Sequence, residues 1–160
     1  MIRSQRTPGV LLRRLIEHLD GAVEQSYRDA GLDYRPRFTP IVRALLNDGP
    51  ASLRALSLRI GVTHSAMSQT VSQMVARGWV ALEPGLDGRE RIVSLTPFAQ
   101  ERLPQLERCW SATAAAAASL DADIGQPLAE VLTRALDALE HRPFSARLAE
   151  AIAPRSGADQ

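Results

Sequence analysis

Residues 52–79 read SLRALSLRIGVTHSAMSQTVSQMVARGW, two short helical patterns that meet at Gly61. Ser52 is placed to cap the first, with Leu53, Leu56 and Ile60 turned inward. Thr63 is placed to cap the second, with Met67, Val71, Met74 and Val75 turned inward and Gly78 closing it. The outward side of the second helix is the informative part. It carries Thr63, Ser65, Ser68, Gln69, Ser72 and Gln73, with no Glu, Asp or Lys between residues 63 and 76. A face that meets only water usually carries Glu, Lys and Arg in i,i+4 pairs. Hydroxyls and amides suit short-range hydrogen bonding instead. Ser65, Ser68, Gln69 and Ser72 follow helical spacing and share one face, opposite Met67, Val71 and Met74.

Beyond Gly78 the period changes from 3.6 to 2. Val80 and Leu82 alternate with Ala81 and Glu83, PGLDG (84–88) turns, and Ile92, Val93 and Leu95 make a second β-rich segment. This pattern predicts a two-stranded hairpin. Thr-Pro pairs at 7–8, 39–40 and 96–97 each combine a helix cap with Pro at the first helical position. The first opens a long amphipathic helix, striped by Leu12, Ile16, Leu19, Val23, Tyr27 and Ala30, widened by Leu11 and Leu15 and ended by Gly31. LDYRPRF (32–38) reads as a connector, and Ile41, Val42, Leu45 and Leu46 line a short helix ending at Asp48-Gly49-Pro50. The third pair opens an Ala-rich helix to about Ser119. Leu128, Val131, Leu132, Leu136 and Leu139 mark a helix over 126–141, Pro143 interrupts, and a shorter segment follows near 145–152.

The expected fold class is mainly α with a small β-hairpin. A winged helix-turn-helix core over residues 36–100 is flanked by an N-terminal helix (7–31) and C-terminal helices (96–152). A disordered tail is expected at 153–160. The flanking stripes are wider than one winged domain covers. They therefore predict dimerisation helices and a homodimer, which places two second helices at half-site spacing.

In a helix-turn-helix the second helix enters the DNA major groove and its N-terminal residues meet base edges. Gln pairs with adenine bidentately, and Ser reaches a base or a phosphate. Charge points the same way, for residues 1–97 hold thirteen Arg against nine acids and the remainder six Arg against nine. All nineteen basic residues are Arg, the side chain that clamps phosphate or guanine with two donors. Arg54 and Arg59, before the turn, are candidates for backbone contacts.

Residues 87–99, DGRERIVSLTPFA, closely resemble the wing of the MarR (multiple antibiotic resistance regulator) family. Its pattern is Asp-x-Arg, a short variable run, an aliphatic strand, then Leu-Thr and a small residue. Asp87, Arg89, Val93, Leu95 and Thr96 match in register, and Ala99 stands where Gly is common. The resemblance implies that Arg89 reaches the minor groove, with Asp87 holding it, and a narrow minor groove attracts Arg through its negative potential. Arg91, two residues on, faces the same side of the strand and is a phosphate candidate. The DNA-contact set expected from sequence is thus Thr63, Ser65, Ser68, Gln69, Ser72, Arg54, Asp87, Arg89 and Arg91. The resemblance further implies a transcriptional regulator, more commonly a repressor, acting on double-stranded DNA with inverted-repeat symmetry. It also implies a small aromatic or phenolic effector between the dimer helices and the winged domain, where Tyr27, Tyr34, Arg37 and Phe38 are the candidates.

Other classes find little support. His18, His64 and His141 are scattered, with no ligand spacing, phosphate loop or nucleophile–base pair, so no catalysis, metal or cofactor is expected. A single cysteine excludes an intrachain disulfide framework, and Cys109 reads as structural rather than redox-active. No apolar run spans a membrane and no signal peptide is evident, so a cytoplasmic protein is expected. The competing class is a winged module whose polar helix docks a protein instead of DNA.

Overall fold

The computed structural model describes residues 7–85, 88 and 90–153. In chain order these form α1 (Pro8–Asp29), a 3-10 turn (Pro36–Phe38), α2 (Thr39–Asp48), β1 (Ala51–Ser52), α3 (Leu53–Ile60) and α4 (His64–Ala76). Then follow β2 (Val80–Pro84), β3 (Arg91–Leu95), α5 (Pro97–Ile124), α6 (Leu128–His141) and α7 (Phe144–Ile152). Two compact units, Met1–Thr113 and Ala114–Gln160, meet at a boundary within α5. Of the tail expected at 153–160, all but Ala153 lies outside the described residues.

The first unit is a winged helix-turn-helix. The Ala55 N–H donates to Ser52 Oγ and the Ala66 N–H to Thr63 Oγ1, both at 3.2 Å, so the two predicted caps form. Between them Gly61 adopts φ 75°, ψ 32°, and its N–H returns to the Ser57 carbonyl at 3.0 Å. This left-handed residue ends α3 and turns the chain into the three-residue connection 61–63 that leads to α4. Leu56, Met67, Val71 and Met74 are fully buried, joined by Ile41, Val42, Val80, Val93 and Leu106.

Several local expectations are corrected. The hairpin gains a third strand, because Ala51–Ser52 pairs with Ile92–Val93, giving the antiparallel order β1-β3-β2. Two residues are too few to show a period, so β1 exists only through its partner. Thr39 is not a cap: the 3-10 turn runs directly into α2 and Phe38 is already helical (φ −78°, ψ −24°). The Thr39 hydroxyl instead lies 3.4 Å from the Tyr27 hydroxyl. Thr7 makes no side-chain cap bond although Pro8 opens α1. Val75 and Leu46, expected inward, are each 41% exposed. α5 runs past Ser119 to Ile124 and stops at Gly125, whose φ is 75°.

Five of the seven aromatic residues make one chain of edge-to-face contacts in the first unit. Tyr34 is its centre, 4.8 Å from both Tyr27 and Trp79 and 5.5 Å from Phe38, and Trp79 continues to Phe98 at 5.5 Å. Such pairs add stabilisation beyond the area they bury. Cys109 is buried, its sulfur 3.9 Å from the Ser26 carbonyl. Arg43 lies over the Trp110 ring at 4.8 Å.

The second unit holds the end of α5 with α6 and α7. The Leu128 N–H donates to Asp121 Oδ1 at 2.9 Å, and Arg142 pairs with Glu150. α6 and α7 contain no buried residue, although Leu132, Leu136, Leu139, Phe144, Leu148 and Ile152 are all apolar and exposed. In the first unit, α1 likewise exposes Val10, Leu11, Leu12, Ile16 and Leu19, and buries only Tyr27 fully.

The turn at Gly61 is open, for a Cβ there would meet nothing within 4 Å. Gly61→Ala therefore bears only the left-handed backbone cost, about 1 kcal/mol. Urea unfolding is expected to show that loss with an unchanged m-value.

Candidate nucleic-acid interface

α4 is anchored by its apolar side and presents its polar side outward. Ser65, Gln69 and Ser72 are exposed and Ser68 is half-buried, while Met67, Val71 and Met74 lock the opposite face into the core. Among the described residues, none of these four polar side chains has a hydrogen-bond partner within the chain. Thr63 differs, since its oxygen accepts from Ala66 while its own O–H remains to donate. The surface therefore offers three hydroxyls and one amide at the start and middle of an exposed helix, the groups that read base edges at close range.

Gln73 does not share that freedom. It is half-buried and accepts from Arg37, whose guanidinium reaches it from the 3-10 turn. Arg37, one of the four effector candidates, is thus exposed and engaged with α4. Tyr27, Tyr34 and Phe38, the other three effector candidates, are packed into the aromatic core and no more than 2% exposed.

The wing projects from the far end of α4. β2 and β3 pair from Val80↔Leu95 out to Pro84↔Arg91, and the Gly85 N–H closes the tip on the Glu90 carbonyl at 2.7 Å. Arg91 stands exposed at the outer end of this ladder. Asp87 and Arg89 lie outside the described residues. At the wing base, the Thr96 hydroxyl donates to the Gly78 carbonyl and accepts from the Ala99 N–H, tying the end of α4 to the start of α5. Arg54 is exposed on α3, whereas Arg59 pairs with Asp48 and so is partly neutralised.

Sequence reasoning missed the residues that hold α4 in place. The Trp79 indole N–H donates to the Asp33 carbonyl at 2.8 Å, and Arg77 bonds the Asp33 carboxylate at 3.1 Å. Arg77 also reaches the Gln73 carbonyl at 3.3 Å and lies 5.9 Å from the Phe38 ring centre. These pairings span about forty residues of sequence and carry no local signal.

Residues 39–90 match the family model described as MarR family. Over this segment, about a third of the chain, the sequence is similar to the MarR family. No curated protein matches the sequence. Among solved structures, a probable transcriptional regulator from Pseudomonas aeruginosa is 23% identical with a TM-score of 0.65, over 82% of this chain and 98% of that one. The M. tuberculosis regulator MosR, solved in complex with DNA, is 22% identical with a TM-score of 0.65, over 91% and 98% of the two chains. PcaV of Streptomyces coelicolor, solved with its natural ligand, is 20% identical with a TM-score of 0.66, over 86% and 97%. These likenesses extend the shared fold well beyond the segment matched by the MarR family model.

Among the described residues, no helix is long and apolar enough to cross a membrane, and no three His, Cys, Asp or Glu side chains gather as metal ligands. One group is strongly perturbed. Burial pushes the Tyr34 phenol above its ordinary range, and Thr39 and Arg43 pull the other way without cancelling it. The folded state thus keeps a proton that the unfolded chain releases near pH ~10. Stability from this group is present below that pH and lost as pH rises beyond it. A titration of phenolate absorbance in a Tyr27→Phe background is expected to show Tyr34 ionising only as the near-ultraviolet dichroism of the fold collapses. Ionisation of Tyr34 in the intact fold would contradict the burial.

Proposed function

We propose that this chain is a sequence-specific, double-stranded-DNA-binding transcriptional regulator that acts as a homodimer, most simply as a repressor. The observation that carries the reading is the row of exposed Ser65, Gln69 and Ser72 and half-buried Ser68, without hydrogen-bond partners among the described residues, on a helix locked by its opposite face. Unpaired donors and acceptors at this position suit a base-lined groove. Gln69 supplies the one amide and therefore the adenine preference, the hydroxyls read either bases or phosphates, and Arg91 and Arg54 add phosphate contacts. Arg89 and Asp87 join this set as wing residues on the strength of the family pattern.

The apolar faces of α1 and of α6 and α7 support a second copy of the chain as partner. Fully burying a Leu or Ile side chain contributes about 1.5–3 kcal/mol relative to exposure, and these helices leave many such side chains in water. A twofold dimer implies an inverted-repeat operator with half-sites roughly 34–36 Å apart. Release by a small aromatic or phenolic effector is part of the proposal. Its support is a pair of buried polar atoms without protein partners, the Tyr34 hydroxyl and the Trp110 indole nitrogen, together with Arg43 stacked on Trp110.

Fluorescence anisotropy on the protein's own upstream DNA and on a shuffled duplex tests the proposal. Tight, salt-sensitive preference for the upstream duplex is expected, and absence of binding even at low salt would transfer the polar face to a protein partner. Within that assay, Gln69→Ala is expected to cost about 1–3 kcal/mol of operator affinity and to relax selectivity at one base pair per half-site. Arg91→Ala is expected to weaken all duplexes alike and reduce the salt slope by about 1. Leu136→Glu is expected to shift the molecular mass in light scattering toward the monomer and weaken operator binding, with the melting of the winged unit retained.

A further inference from the structure

The connector between α1 and α2 is bonded at three points to the C-terminal part of α4 and the turn that follows it. The Asp33 carbonyl receives the Trp79 indole N–H, the Asp33 carboxylate receives Arg77, and Arg37 donates to the Gln73 amide oxygen. Phe38, buried in the same connector, lies beneath the Arg77 guanidinium. The connector is in turn held to the last turns of α1. Arg35 pairs with Glu24, Tyr34 packs edge-on against Tyr27, and the Leu32 N–H donates to the Tyr27 carbonyl at 2.8 Å.

We infer that Arg37 and Gln73 are positioning residues for DNA binding: residues 33–38 form a strap that fixes the orientation of α4 to the end of α1, and Gln73 serves the strap rather than the DNA. The inference rests on the DNA-binding reading above. Three physical points support it. Gln73 follows Ser72 but is already satisfied by a charged donor from its own chain, and breaking a charge-assisted bond to meet a base would lose what it gains. Arg37 belongs to the 3-10 turn, so its backbone is fixed by the buried Phe38 and the start of α2. The remaining strap bonds hold the same helix end, so loss of the Arg37–Gln73 bond tilts α4 without unfolding it.

The test uses the full-length protein and a duplex enriched by the wild type from a random pool. Failure to enrich any duplex would defeat the DNA-binding reading itself, separately from the strap. Given an enriched duplex, Arg37→Ala and Gln73→Ala are each expected to weaken it about two- to fivefold, the scale of one partly exposed hydrogen bond. The double variant is expected to be no worse than either single one, with an unchanged salt slope. Gln73→Glu keeps an acceptor for Arg37 and is expected to bind within about twofold of wild type, because partial exposure limits what this pair contributes. Thermal melting serves as the fold control. Additive losses, with Arg37→Ala lowering the salt slope by about 1, would make Arg37 a phosphate contact and overturn the strap. So would a changed base preference in Gln73→Ala, or near-complete loss of binding in Gln73→Glu, since both place residue 73 against the DNA.

Discussion

The winged unit depends on where Trp79 sits. It is the first residue after the turn that ends α4 and the last before the wing begins, and it is 1% exposed. Its ring is held between Tyr34 and Phe98, and its N–H is spent on the Asp33 carbonyl. One side chain thus fixes the end of α4, the wing and the connector to a common centre. A large aromatic can do this because it buries a wide surface on both faces while its single polar atom finds a partner. Gly78 makes the approach possible through its left-handed backbone, φ 76°, while a Cβ there would meet the Phe98 ring in ordinary contact at 3.8 Å.

This arrangement explains how an exposed helix keeps its reading groups free. Capping is assigned to Thr63, anchoring to Met67, Val71 and Met74, and the tie to the connector to Gln73 and Arg77. What is left unengaged is the row Ser65, Ser68, Gln69 and Ser72. The three serines lose little rotamer entropy when they are ordered against a partner, whereas Gln69 loses more. The same division of labour places the charges. Arg59 is paired with Asp48 and Arg43 covers Trp110, whereas Arg54 and Arg91 remain exposed on the elements before and after α4.

The outer helices obey a different constraint. α6 and α7 bury nothing within the second unit, and α1 buries one residue of twenty-two. Helices this apolar are stable in isolation only if their stripes are covered. The proposed second copy of the chain answers that need for each unit separately.

Much of this was legible from sequence because it is local. The Ser52 and Thr63 caps, the left-handed Gly61 and the inward set Leu56, Met67, Val71 and Met74 follow from spacing and residue type within one or two turns. The wing was legible from alternation and from the Asp-x-Arg to Leu-Thr pattern, though its tip residues Asp87 and Arg89 lie outside the described structure. What the sequence left out shares one cause. That Tyr27, Tyr34 and Phe38 are one another's neighbours shows only in packing. β1, the displaced role of Thr39 and the engagement of Gln73 by Arg37 likewise depend on partners distant in sequence. By itself, then, the sequence determined the elements, their caps and the polar face of α4, since these need only short-range geometry. Tertiary structure decided which polar groups remain free on that face, because a hydrogen bond taken by a residue thirty-six positions away has no trace in local pattern.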